Sequence, residues 1–164
     1  MKYILLLVGL WCVVEKFDPR SLFEQVTIIK IVEKEKNFPA YLIKKGVRFP
    51  EIVTAQMLHE TDCGKSAICR ECNNYFGMKA NSRVFNIGTC RGHAKYATPM
   101  KSLEDYIAWQ KLYLPYYENK YLRRSAMTKE DYYKYLEWIG YAEDSLYVKK
   151  IDVYTRAIED LHLD

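Results

Sequence analysis

The segment "VTAQMLHETDCGKS", residues 53–66, holds a glutamate, Glu60, at the end of an apolar stretch that then breaks at Asp62-Cys63-Gly64. The charged neighbours His59, Asp62 and Lys65 fall on other faces of a helix through this stretch, or beyond its end. A carboxylate buried without a basic partner is costly, so such a site favours the protonated form and suits a proton donor. The competing reading is a glutamate that snorkels to the surface.

Cysteines are the second group able to do chemistry. Leaving aside Cys12, the chain carries Cys63, Cys69, Cys72 and Cys90. Cys69-x-x-Cys72 followed by Cys90-x-x-His93 has the spacing of a two-knuckle zinc site, which would leave Cys63 over. An exported context favours disulfides instead, and a bridge from the 63–72 segment to Cys90 would tie a small lobe to the central helix. Four cysteines allow three pairings; disulfide, zinc and free thiols all stay open at this point.

Helices must position these groups. Asp18 as a cap and Pro19 in the first turn open an amphipathic helix through Leu22, Val26, Ile29 and Val32 or Glu33, ending near Asn37. Pro39 opens a short helix closed by Gly46, and Pro50 starts the helix that carries Glu60, apolar on most sides and therefore central. Between Lys79 and Thr98 two glycines and short alternating runs at Val84–Ile87 and His93–Ala97 predict a small β-hairpin. Helical spacing returns at Ser102, where Ser102 and Asp105 have the form of a capping box and Leu103, Ile107 and Gln110 or Lys111 share a stripe. A further helix runs from Thr128 to Gly140, and a last one starts near Asp144 or Ser145 with Tyr147, Ile151, Tyr154, Ile158 and Leu161 inward.

Composition narrows the function classes. The chain of 164 residues suits one domain, 49% of it hydrophobic and 28% charged. A net charge of +4, with both signs interspersed and no long Lys/Arg run, argues against a nucleic-acid partner. The 15 tyrosines are unusual. Such rings can stack on the apolar faces of sugars or simply fill a helical core and its rim. Residues 1–16 join Lys2 to an apolar run from Tyr3 to Val14, too short to span a bilayer as a helix and similar to the hydrophobic region of a secretory signal. No small-x-small cleavage site follows. Export is expected, with 1–16 as a signal or N-terminal membrane anchor and 17–164 as the functional domain.

Three segments, "AQMLHETDCGKS" (55–66), "NNYFGMK" (73–79) and "GYAEDSLYVKKI" (140–151), resemble, in order and separation, the motifs of the glucosaminidase family, glycoside hydrolase family 73. "YATPMKSLEDYIAWQ" fits the stretch between the last two, so the resemblance covers about residues 36–162. It implies a lysozyme-like fold, mainly α with a small β-hairpin lobe over a cleft, acting as a monomer on peptidoglycan glycan strands. The implied reaction is hydrolysis of the β-1,4 bond after N-acetylglucosamine, without a cofactor or metal. Glu60 matches the family's catalytic acid and Tyr141 an active-site tyrosine. Asn73, Asn74, Tyr75, Phe76 and Gly77 would form the turn facing the acid, with Phe76 also suited to the core. Asn73, Asn74, Tyr75, Phe76, Gln56 and Tyr147 are the expected substrate-binding residues.

Two departures from the family bear on mechanism. Many relatives carry a second acid in the β-lobe, whereas this chain has no Asp or Glu between Asn73 and Leu103. Glu71 and Asp62 are poor substitutes, which puts the two-carboxylate scheme in question and leaves assistance by the substrate's own 2-acetamido oxygen, with Tyr141 helping to position it, as the alternative route. The family's tryptophan before Gly64 is Cys63 here. Two rivals stand beside the hydrolase: a lytic transglycosylase of the same fold, and a non-catalytic glycan-binding module, zinc-stabilised in one form.

Overall fold

The structure, a computed structural model, describes residues 38–161 except 82 and 124. The N-terminal segment 1–16 and the helix expected from Asp18 to near Asn37 lie outside the described residues. Six α-helices and one hairpin follow. In chain order they are α1 (Phe38–Lys44), α2 (Pro50–Glu60), α3 (Ala67–Cys72), β1 (Gly88–Cys90), β2 (His93–Lys95), α4 (Pro99–Tyr117), α5 (Lys129–Trp138) and α6 (Tyr147–Leu161). A π-helical segment, Glu118–Leu122, continues α4.

Helix α2 lies at the centre. Pro50 occupies its first turn, where a missing N–H is harmless, and every residue from Ile52 to Leu58 is buried. A helix apolar all round must be covered on all sides. Here α1 and α6 pack along it, and α4 clamps its start. Arg48 donates its backbone N–H to Gln110 Oε1 at 3.0 Å, and Gln110 Nε2 returns a bond to Arg48 O at 3.1 Å.

The hairpin is antiparallel, with Cys90 opposite His93. Its turn residues Arg91 and Gly92 both have positive φ, 51° and 77°, as a two-residue turn between right-twisted strands requires. The second strand falls where alternation predicts it. The first lies beyond the expected Val84–Ile87 run, which instead forms a loop with Val84 and Ile87 exposed.

Helix α4 starts earlier than expected. Thr98 is its cap and Pro99 its first residue, while Ser102 and Asp105 are buried inside it. They cap nothing in their own helix: Ser102 Oγ accepts the Tyr75 backbone N–H at 2.9 Å, and Asp105 Oδ1 accepts those of Val84 and Phe85 at 3.0 and 3.3 Å. Two loops are thereby fastened to one helix. The Thr128–Asp131 capping box opens α5, and α6 buries Tyr147, Ile151, Thr155 and Ile158.

Cys72 and Cys90 form a disulfide, and Cys63 and Cys69 are free thiols. The zinc reading fails because two of its four ligands are consumed by that bridge. Among the described residues no group of metal-ligating side chains comes together. The disulfide ties α3 to the hairpin across a sequence separation of 18, and a loop of that length restricts the unfolded chain by about 3 kcal/mol. Reducing the protein, or replacing both cysteines with alanine, is expected to lower unfolding stability by roughly that amount in denaturant melts. Identical midpoints with and without reductant would contradict the bridge's role.

Candidate active site

Glu60 is the last residue of α2, and its carboxyl group looks into an open cleft. Phe76, Gly77, Met78, Lys79, Arg83, Trp109, Ile139, Gly140 and Tyr141 line it together with Glu60. Glu60 is the only carboxylate among the lining residues. Burial pushes it up from the usual carboxylate range to about 7, against the opposing pull of a hydrogen bond from Tyr147 and the positive charge of Lys79. A group at that value holds its proton over much of the neutral range and can still release it.

The carboxyl group fits because residue 77 has no side chain. Gly77 has φ +60°, and a methyl group built on it would overlap Glu60 Oε2 and lie 3.1 Å from Cδ. The backbone angle favours glycine, and any side chain here would push the Glu60 carboxyl from its place.

Behind Glu60 runs a buried chain of hydrogen bonds. Gln110 Nε2 donates to Tyr132 Oη at 2.7 Å, and the two hydroxyls of Tyr132 and Tyr106 lie 3.1 Å apart. Tyr106 Oη donates to Gln56 Oε1 at 2.6 Å, which fixes Tyr132 as the donor to Tyr106. Gln56 Nε2 donates to Tyr147 Oη at 3.2 Å, and Tyr147 in turn hydrogen-bonds Glu60. Each hydroxyl accepts one bond and donates the next, so the direction is the same from α4 to the acid. Burial and the neighbouring Glu60 charge raise the Tyr147 hydroxyl well above its ordinary value, so it stays a donor.

Tyr141 stands across the cleft. Its hydroxyl donates to Phe76 O at 2.7 Å, and its ring meets Trp109 edge-on at 5.4 Å and tilts on Tyr147 at 5.6 Å. The proton is committed to the Phe76 carbonyl, so oxygen lone pairs are what this hydroxyl has left to offer.

Several residues expected at the substrate act as supports. Asn74 is fully buried: Nδ2 donates to Met78 O at 2.8 Å and Ala94 O at 2.9 Å, and Oδ1 accepts from the Phe76 and Met78 N–H groups at 3.4 and 3.0 Å. Its capacity is spent shaping the turn that carries Gly77. Gln56 is equally buried, in the chain described above, and Tyr147 is 5% exposed and holds the acid. Asn73 takes the left-handed position after α3, with φ 53°, and donates Nδ2 to Tyr96 O at 3.0 Å. Tyr75 is half-buried and falls outside the residues lining the cleft. Phe76 stacks on Tyr106 at 4.3 Å and lines the cleft floor. Glu71 is exposed and paired with Arg91 at 2.8 Å, and neither it nor Asp62 lines the cleft. Met78, Lys79, Arg83, Trp109, Ile139 and Gly140 were not foreseen as site residues. Of these, Met78 and Lys79 lie within the second recognised motif, Gly140 opens the third, and Trp109 falls in the stretch between them.

A helical body, a hairpin lobe and one raised carboxyl at the end of the central helix define a lysozyme-like domain. The chain belongs to the glucosaminidase family, described as mannosyl-glycoprotein endo-beta-N-acetylglucosaminidase, which matches residues 36–160. Its fold is similar to that of the catalytic domain of the autolysin Auto from Listeria monocytogenes, with a TM-score of 0.56 and 22% identity over 90% of this chain and 98% of that one. No curated protein matches the chain.

A raised carboxyl sets a sign for stability. Glu60 has an ordinary value of 4.5 and about 7 in the fold. Below the lower value it is protonated in both states; as pH rises to the upper one, only the unfolded chain releases the proton, and the native state loses up to about 3 kcal/mol. Glu60→Gln escapes this penalty. Its stability relative to the parent is expected to increase from pH 4 to pH 8 by about 2–3 kcal/mol in urea melts. An equal difference at both pH values would contradict a raised Glu60.

Proposed function

We propose that this protein hydrolyses peptidoglycan glycan strands at the β-1,4 bond after N-acetylglucosamine, with Glu60 as general acid. The observation that carries the reading is the placement of that carboxyl: single in its cleft, raised to about 7, and wedged against Gly77. Family membership supports glycosidase chemistry, and the likeness to an autolysin catalytic domain supports a cell-wall substrate.

With one carboxyl lining the cleft, the substrate supplies the nucleophile. Glu60 gives its proton to the glycosidic oxygen as the C1–O bond breaks, while the carbonyl oxygen of the 2-acetamido group bonds to C1 and forms an oxazolinium ring. Water then attacks C1, Glu60 takes a proton from it, and the acetamido group is restored. Tyr141, whose proton is held by Phe76 O, turns lone pairs toward the positive charge that develops on the sugar. Trp109 offers an apolar edge for a sugar face, although it is only 8% exposed. The Cys72–Cys90 bridge fits an exported, cell-envelope protein working as a monomer, with residues 1–16 as signal or anchor.

Digestion of purified peptidoglycan, followed by borohydride reduction and mass spectrometry, tests this reading. Fragments ending in reduced N-acetylglucosamine are expected, with Glu60→Gln slower by about a thousandfold and parent activity falling as pH rises through about 7. Anhydro ends would assign a lytic transglycosylase instead. No release by the folded parent protein would leave a glycan-binding module.

A further inference from the structure

The stretch between Asn73 and Leu103 has no acid, and it presents two cations to this cleft. Lys79 and Arg83 both line it, together with Gly77. Lys79 is exposed, but Arg83 is built into the wall, with its side chain 18% exposed. Burying a guanidinium is costly without a partner, and the partner here is incomplete. Asp105 lies 3.8 Å from Arg83 Nε through Oδ2. That carboxylate already accepts from Val84 N, Phe85 N and Tyr96 Oη, the last at 2.8 Å. Arg83 Nε is left buried with no hydrogen-bond partner. Asp105 therefore sets the loop and the charge of Arg83 without saturating its donors, and the planar fork of an arginine matches a carboxylate.

We infer that Arg83, assisted by Lys79, binds a carboxylate of the glycan strand and so selects muramyl-containing strands over neutral N-acetylglucosamine polymers. The inference rests on the proposed glycan substrate and names the group that distinguishes it. Two sources supply that carboxylate: the lactyl ether of a muramyl unit stripped of its peptide, or an acidic residue of an attached stem peptide. Asp105 is a positioning residue for Arg83. An uncharged chitin oligomer carries nothing for this pair to recognise.

Binding in a Glu60→Gln background reads the subsite without turnover. Titration calorimetry with chitohexaose, peptide-free glycan strands and peptide-bearing strands would compare that protein with its Arg83→Gln and Arg83→Lys derivatives. The ratio of affinity for carboxylated over neutral strands is expected to fall about tenfold or more with Arg83→Gln and to be partly restored by Arg83→Lys, since a charge-assisted bond of this kind carries that much. Loss confined to peptide-free strands assigns the lactyl group, and loss confined to peptide-bearing strands assigns the stem peptide. A ratio unchanged by Arg83→Gln, or no preference for carboxylated strands in the Glu60→Gln protein, would overturn the inference. Failure of the parent enzyme to cleave any strand would overturn the proposed hydrolysis alone, because these affinities are read independently of it.

Discussion

The contact between the Glu60 carboxyl and the bare Cα of Gly77 is the constraint on which the rest of the site depends. It closes a carboxyl against backbone and aromatic surface at the end of a helix buried on every side, where water has little access. Desolvation at that point outweighs both influences that favour the anion, the Tyr147 hydroxyl and Lys79. The tyrosine bond nevertheless has a use: it fixes the direction in which the acid points, and four further side chains relay that direction back to α4.

The same helix governs the opposite wall. Through Ser102 it holds the loop before Gly77, through Asp105 the loop after it, and through Gln110 the start of α2. Trp109, between them, faces the cleft. Residues from one helix thus set the position of the acid, of the turn pressed against it and of the charged β-lobe side. The Cys72–Cys90 bridge adds a covalent tie where the hairpin has little core of its own. Many of the tyrosines belong to this framework: Tyr96, Tyr106, Tyr132 and Tyr135 are fully buried, so core packing accounts for much of the tyrosine excess.

What could be read from the chain follows from how local each signal is. Glu60 draws notice in the chain because an acid in an apolar helix stands out, and Pro50, Gly46 and Thr128 marked helix ends by chemistry confined to a few residues. Helix α3, with six residues, is too short to show a period. Ser102 and Asp105 imitate a capping box because the spacing that suits a cap also places two polar groups on one helical face, and only their distant partners distinguish the cases. The burial of Asn74 and Gln56 was hidden for a related reason: an amide inside a motif is equally suited to a sugar or to a tight turn, and saturation of its hydrogen bonds is a tertiary fact. Arg83 gave no signal, since its meaning depends on Asp105 and on a cleft assembled from four separate segments.

The most direct test of the account is a carbon-13 NMR titration of the Glu60 carboxyl, assigned by comparison with Glu60→Gln, in the parent protein and in Gly77→Ala. A midpoint near 7 is expected in the parent, moving toward the ordinary glutamate range in Gly77→Ala as the added methyl displaces the carboxyl toward water. A parent midpoint near 4.5 would contradict it, because Glu60 would then lie too open to water to serve as a proton donor at neutral pH.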